Sequence, residues 1–105
     1  MSNMFYECSS LEELNLSNFN TNNATYINCM FYKFSSLKIL NISNFNTNNV
    51  IDMSFMFENC SDLTELNLTK FNTINVTDMS HMFNGCSDNL KKMVSKQNKK
   101  FYDKN

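Results

Sequence analysis

The chain is 105 residues long, 42% hydrophobic, and carries nine basic against ten acidic side chains for a net charge of −1. That length allows one small domain and no second core, and no apolar run approaches the roughly 20 residues that span a bilayer as a helix. A single glycine in the whole chain excludes a P-loop, a G-x-G-x-x-G fingerprint and a nucleophile elbow, each of which needs more than one.

Four stretches, MFYEC (Met4–Cys8), MFYKF (Met30–Phe34), MFENC (Met56–Cys60) and MFNGC (Met82–Cys86), recur every 26 residues. The same spacing relates Leu11, Leu37 and Leu63; Leu14, Leu40 and Leu66; Leu16, Ile42 and Leu68; Phe19, Phe45 and Phe71; and Thr21, Thr47 and Thr73. A period in the twenties signals stacked supersecondary units, each too small to bury a core alone. Met1-Ser2 aligns with Met53-Ser54 and Met79-Ser80, which predicts a chain that begins inside a unit. No basic n-region and apolar h-region follow Met1, so no secretory signal is read.

In chain order, the L-x-L alternation predicts short half-buried strands at Glu13–Ser17, Ile39–Ser43 and Glu65–Thr69. After each strand comes an Asn/Thr-rich bend. In the third unit Thr73 and Asn75 supply a turn and a helix cap, and Asp78 favours the positive helix start. A short helix is expected next, with Val76, Met79, Met82 and Phe83 on one face, ended by Asn84-Gly85. Leu90 arrives one residue late for the repeat and ends the pattern. The expected architecture is an α/β repeat solenoid, leucine-rich-repeat-like, with short parallel strands on one face and short helices on the other. Residues 1–89 form about three and a half repeats of it, and residues 90–105 a degenerate last repeat with a basic C-terminal tail.

Charge divides along the same boundary. Up to Asn89 there are three lysines against nine acids, a net −6, while Leu90 to Asn105 holds six lysines against Asp103, a net +5. Lys91, Lys92, Lys96, Lys99, Lys100 and Lys104 could meet nucleic acid or an anionic membrane. The preferred reading is a solvated end whose lysines blunt the sheet edge, with no nucleic-acid partner.

The unit L-x-x-L-x-L-S-x-F-x-T-x-x-V-x-x-M-x-x-M-F-x-x-C resembles the leucine-rich repeats of BspA-like bacterial surface proteins, most closely the variant in mycoplasma-type surface lipoproteins. The match runs from Met1 to about Leu90. The resemblance implies a right-handed solenoid acting in adhesion, host contact or surface display, and a place at the cell surface or outside the cell. The missing signal or lipid-attachment segment leaves a cytoplasmic protein or a fragment as the alternative.

Catalysis finds no constellation. His81 is the only histidine, in the slot of Cys29 and Phe55, so the repeat does not select imidazole there. Cys8, Cys60 and Cys86 share a position with Phe34, which marks a buried apolar site rather than a disulfide or zinc framework. No metal or cofactor is expected, and no enzyme. Six N-x-[ST] sequons, at Asn15, Asn23, Asn41, Asn59, Asn67 and Asn75, follow from the repeat and predict no glycan. The Met pairs and the column of Phe19, Phe45 and Phe71 read as core.

One surface repeats without burial to explain it. If the strand leucines point inward, three columns face out: Glu13, Ile39 and Glu65; Asn15, Asn41 and Asn67; Ser17, Ser43 and Thr69. Spaced at about 4.8 Å, they suit a protein or glycan ligand. In the competing reading the Asn columns satisfy one another as ladders, and the chain is a structural repeat cassette of a longer protein with no ligand of its own. Weak self-association is expected at the N-terminal end, where Met4, Phe5 and Leu11 lack a preceding unit.

Overall fold

The computed structural model describes residues 1–5 and 10–101. Two short strands, β1 (Glu13–Asn15) and β2 (Ile39–Asn41), pair in parallel with Glu13 opposite Ile39, Leu14 opposite Leu40 and Asn15 opposite Asn41. The pairing offset is therefore the 26-residue repeat itself. One further bridge joins Ile39 to Glu65, and the Leu40 N–H donates to the Glu65 carbonyl at 3.1 Å.

The strands are shorter than the alternation predicts, and the third is reduced to that bridge. The cause lies in the side chains of Asn15, Asn41 and Asn67. Each accepts on Oδ1 the N–H two residues on, from Ser17 at 2.9 Å, Ser43 at 3.2 Å and Thr69 at 2.9 Å. Such an Asx turn takes the donor a continuing ladder would need.

The segments expected to be helices on the second side are runs of turns. Met53, Phe55, Phe57 and Asn59 donate their N–H groups to the carbonyls of Asp78, Ser80, Met82 and Asn84, at 2.8 to 3.0 Å. Between them, Met56, Glu58 and Cys60 donate back to Met53, Phe55 and Phe57 at 3.1 to 3.3 Å. An α-helix sends every N–H four residues back, so committing alternate donors to the next unit rules it out. The 3/4 apolar spacing of Val76, Met79, Met82 and Phe83 arises from these three-residue reversals. Two positions in the turn run take left-handed φ: Asn3, Cys29, Phe55 and His81 at 56° to 62°, and Lys33, Asn59 and Gly85 at 59°, 63° and 82°. A second column of parallel bridges, Tyr26 to Asp52 to Asp78, opens this side.

Between the two sides lie Leu37, Leu40, Ile42, Leu63, Leu66 and Leu68, with Met30, Met53, Met56 and Met82, all buried. Phe5, Phe31, Phe57 and Phe83 stack face to face, with centroids 5.5 to 5.6 Å apart and planes within 11° of parallel. Phe45 and Phe71 are buried as expected, Phe19 is half-buried, and the parallel ring stack belongs to the M-F position instead.

The tail expected as a solvated basic end is an amphipathic helix seated on the last unit. Helix α1 (Asp88–Gln97) starts at Ser87, whose hydroxyl accepts the Leu90 N–H at 3.1 Å, and buries Leu90 and Val94. At its far end Gln97 accepts the Leu68 N–H on Oε1 at 2.9 Å and donates from Nε2 to the Leu66 carbonyl at 2.8 Å. One side-chain amide thus stands where the peptide groups of a next strand would pair. Asn98 Nδ2 donates to the Leu68 and Phe71 carbonyls at 3.3 and 3.1 Å. Phe101 closes the ring stack edge-on, 5.7 Å from Phe83 at 81°. Asn98 also keeps the repeat register, 26 residues after Asn72, and accepts the Lys100 N–H on Oδ1 at 3.2 Å.

Candidate binding surface

On the strand side, the structure leaves Glu13, Asn15, Glu65, Asn67 and Thr69 exposed and Ser17, Ile39, Asn41 and Ser43 half-buried. β1, β2 and the Ile39–Glu65 bridge bring the Glu13, Ile39 and Glu65 positions into one column. The amides of the Asn column do not bond across units. Each is held locally: besides the backbone N–H, Asn41 Oδ1 accepts the Ser43 hydroxyl at 2.8 Å and Asn67 Oδ1 the Thr69 hydroxyl at 2.7 Å. With Oδ1 anchored, each amide plane is fixed, and no partner for the Nδ2 groups of Asn15, Asn41 or Asn67 occurs among the described residues. Beside this face Lys38 and Glu12 form an exposed ion pair at 3.3 Å, worth little in stability.

The inter-unit ladder of side chains sits instead at the F-N-T bend, where sequence reasoning did not place it. Thr21 Oγ1 donates to the Asn46 carbonyl at 3.2 Å and accepts the Asn46 N–H at 2.8 Å. Thr47 repeats both bonds with Asn72 at 2.9 and 2.7 Å. Asn46 and Asn72 pass Nδ2 hydrogens back to Asn22 and Asn48 at 3.2 and 3.0 Å, while Asn49 and Asn75 donate to the carbonyls of Asn22 and Asn48. The signal was Thr at one repeat position in three successive units, Thr21, Thr47 and Thr73, preceded each time by Asn; a hydroxyl can donate and accept at once, as this position requires.

On the turn side His81 stacks on Phe55 at 5.0 Å, with its Nδ1 4.0 Å from the Glu58 carboxylate. Glu58 also accepts from Asn84 Nδ2 at 3.0 Å. Asp78 accepts both the N–H and the hydroxyl of Ser80, which hold its carboxyl below the usual range. Asp52 makes the same two bonds with Ser54. No three His, Cys, Asp or Glu side chains converge on a metal-sized site among the described residues.

Cys60 and Cys86 are buried free thiols that donate to the Phe31 and Phe57 carbonyls at 3.0 and 3.1 Å. Burial pushes them up to about 12 and about 11. Cys29 is free and half-buried, also raised, chiefly by burial. Cys8, expected at the buried position of Cys60 and Cys86, lies outside the described residues, as do Asp103 and Lys104. The lysines of α1 and the turn after it, Lys92, Lys96, Lys99 and Lys100, are exposed.

No helix among the described residues is long and apolar enough to cross a membrane. Searches of curated proteins and of solved structures gave no match. Residues 1–103 match the family model described as a Mycoplasma protein of unknown function, DUF285, and the chain belongs to that family.

Proposed function

We propose that the chain is a solenoid of the leucine-rich-repeat type, with a parallel strand column on one side and a turn ladder on the other, working as a non-enzymatic binding or adhesion module. The strand face is the recognition surface. Its support is the column of Asn15, Asn41 and Asn67, whose carbonyl oxygens are held by Asx turns while their Nδ2 donors have no protein partner among the described residues. Pre-oriented donors at a strand spacing of about 4.8 Å suit the repeating acceptors of an extended peptide or a glycan. The pattern's resemblance to BspA-like surface proteins supports display at the cell surface.

Asp at all three positions keeps the Oδ1 acceptor and removes the Nδ2 donor. The triple Asn→Asp variant, read beside the wild type on a glycan and extracellular-protein array, should retain its melting curve and lose the wild-type hits. Hits that survive place the binding surface elsewhere. A second reading is favoured by the same bonds: the three Asn side chains end the strands, a purely structural duty in a repeat cassette. It predicts no wild-type hit at all.

A further inference from the structure

The last bend departs from the repeat at neighbouring positions. In the units before it, the threonine of F-N-T is buried and its hydroxyl is clasped by the main chain of the next unit, Thr21 by Asn46 and Thr47 by Asn72. Thr73 is only half-buried. Both groups that would clasp it are diverted, since the Asn98 N–H donates to the Val94 carbonyl at 3.0 Å and the Asn98 carbonyl accepts the Phe101 N–H at 3.1 Å. The Thr73 hydroxyl is left without a partner among the described residues. Ile74 stands where the earlier units have Asn22 and Asn48, so Asn98 finds no amide oxygen there and turns its Nδ2 to the Leu68 and Phe71 carbonyls. At 81%, Ile74 is the most exposed large apolar side chain among the described residues.

These changes open a groove of about 640 Å³ between the bend and the tail, within the roughly 300–1,000 Å³ of small-ligand sites. Thr73 and Ile74 line it from the bend, Lys99 and Lys100 from the tail. The main chain carrying the lysines is fixed. They sit on a single 3-10 turn, Lys99–Phe101, pinned at one end by Asn98 and at the other by the buried Phe101, whose ring meets those of Phe71 and Phe83 at 6.3 and 5.7 Å. Among the described residues neither ammonium has a carboxylate partner, and no acid lines the groove.

Unpaired cations, a free hydroxyl and an exposed apolar side chain together select one ligand chemistry. A sulfate or carboxylate satisfies the ammoniums, sugar oxygens pair with Thr73, and Ile74 packs on the C–H face of a ring. We propose that this groove binds an acidic glycan, at a site separate from the strand face that stands whether or not that face has a ligand. A nucleic acid fits it less well. The one aromatic residue lining the groove among the described residues, Phe71, is buried and offers no open face on which a base could stack.

The probe is a sulfated uronate disaccharide, titrated into the full chain at physiological salt and followed by amide NMR. Shifts should concentrate at Thr73, Ile74, Lys99 and Lys100, and a dinucleotide or a neutral disaccharide should bind at least about tenfold more weakly. Lys99→Gln/Lys100→Gln should weaken binding about tenfold or more. Lys92→Gln/Lys96→Gln removes the same charge from exposed positions of α1 outside the groove and should change it by less than about twofold. Thr73→Val should weaken binding about threefold or more with an unchanged melting curve. Equal losses in the two lysine pairs, full affinity in Thr73→Val, a dinucleotide or neutral sugar bound as tightly, or no shift at these amides each overturns the inference.

Discussion

Thr47→Val is the most direct probe of what locks one unit to the next. Valine has nearly the shape of threonine, so the 2%-exposed site keeps its packing while losing the hydroxyl. Two bonds disappear together, the 2.9 Å donation to the Asn72 carbonyl and the 2.7 Å acceptance from the Asn72 N–H. At about 0.5–1.5 kcal/mol net for each bond, the loss is about 1–3 kcal/mol, towards the upper end where the orphaned Asn72 groups stay out of reach of water. That is a large share of the roughly 5–15 kcal/mol that holds a domain of this size. In urea, with a slope of about 1–3 kcal/mol/M, the midpoint should fall by about 1 M. Thr47→Ser keeps the hydroxyl and should lose only the methyl contribution, about 0.8 kcal/mol. Thr73 is the internal control. It occupies the same repeat position, but its hydroxyl has no partner among the described residues, because the Asn98 N–H that would clasp it donates to the Val94 carbonyl at 3.0 Å instead. Thr73→Val should therefore stay within about 0.5 kcal/mol of the parent. Equal losses at Thr47 and Thr73, or no loss at Thr47, would refute the interlock.

Other consequences are open to measurement. Cys60 and Cys86 have folded values of about 12 and about 11 against an ordinary 9.0, so the neutral thiols stabilise the fold fully below pH 9. That contribution is lost as pH rises from 9 through 11 to 12, and denaturation midpoints across this window should fall less steeply for Cys60→Ala than for the parent. Both thiols should react with a thiol reagent only on unfolding, whereas reaction at the native rate of a free cysteine would remove them from the core. Ser80→Ala takes away one of the two donors that lower Asp78, so its carboxyl should titrate at higher pH in an NMR titration, with the Ser80 N–H retaining part of the depression. Gln97→Ala uncovers the Leu66 carbonyl and Leu68 N–H and should both destabilise the chain by about 1–3 kcal/mol and promote edge-to-edge association. A monomer of unchanged stability by sedimentation and urea titration would deny α1 that closing duty.

The parts of this fold that were legible in the sequence are those where burial alone sets the residue. Leu37, Leu63, Met30, Met56 and Met82 are buried because a translation of 26 residues repeats the same interior site, and a translation is readable as spacing. Strand length was not readable. Asn41 looks like an outward ladder residue, and only its turn back to the Ser43 N–H shows that it ends the strand. In the turn run, three-residue reversals and a helical face give the same apolar spacing at Val76, Met79, Met82 and Phe83; what differs is the destination of the N–H groups, which composition does not encode. For α1 the signal was present: Ser87 before Leu90, Met93, Val94 and Gln97 is a cap followed by a helical stripe, masked by the lysines between them. Of the candidate surface, the sequence supplied the columns but not the fixed amide planes, since those depend on which atom of Asn is already engaged.

The left-handed corner occupied by Asn3, Cys29, Phe55 and His81 fixes the main chain while its side chain varies from unit to unit. Its conformation is imposed by main-chain bonds, from Asn3 to the Asn28 carbonyl, Cys29 to that of Ser54 and Phe55 to that of Ser80, and it costs an ordinary residue about 1–2 kcal/mol. A carboxamide, a thiol, a phenyl ring and an imidazole all occupy this corner, although asparagine and histidine tolerate it best and β-branched residues worst. The scaffold therefore carries a row of interchangeable letters along one margin. A substitution at one of these positions changes what that margin presents in one unit without touching the register that stacks it on the next.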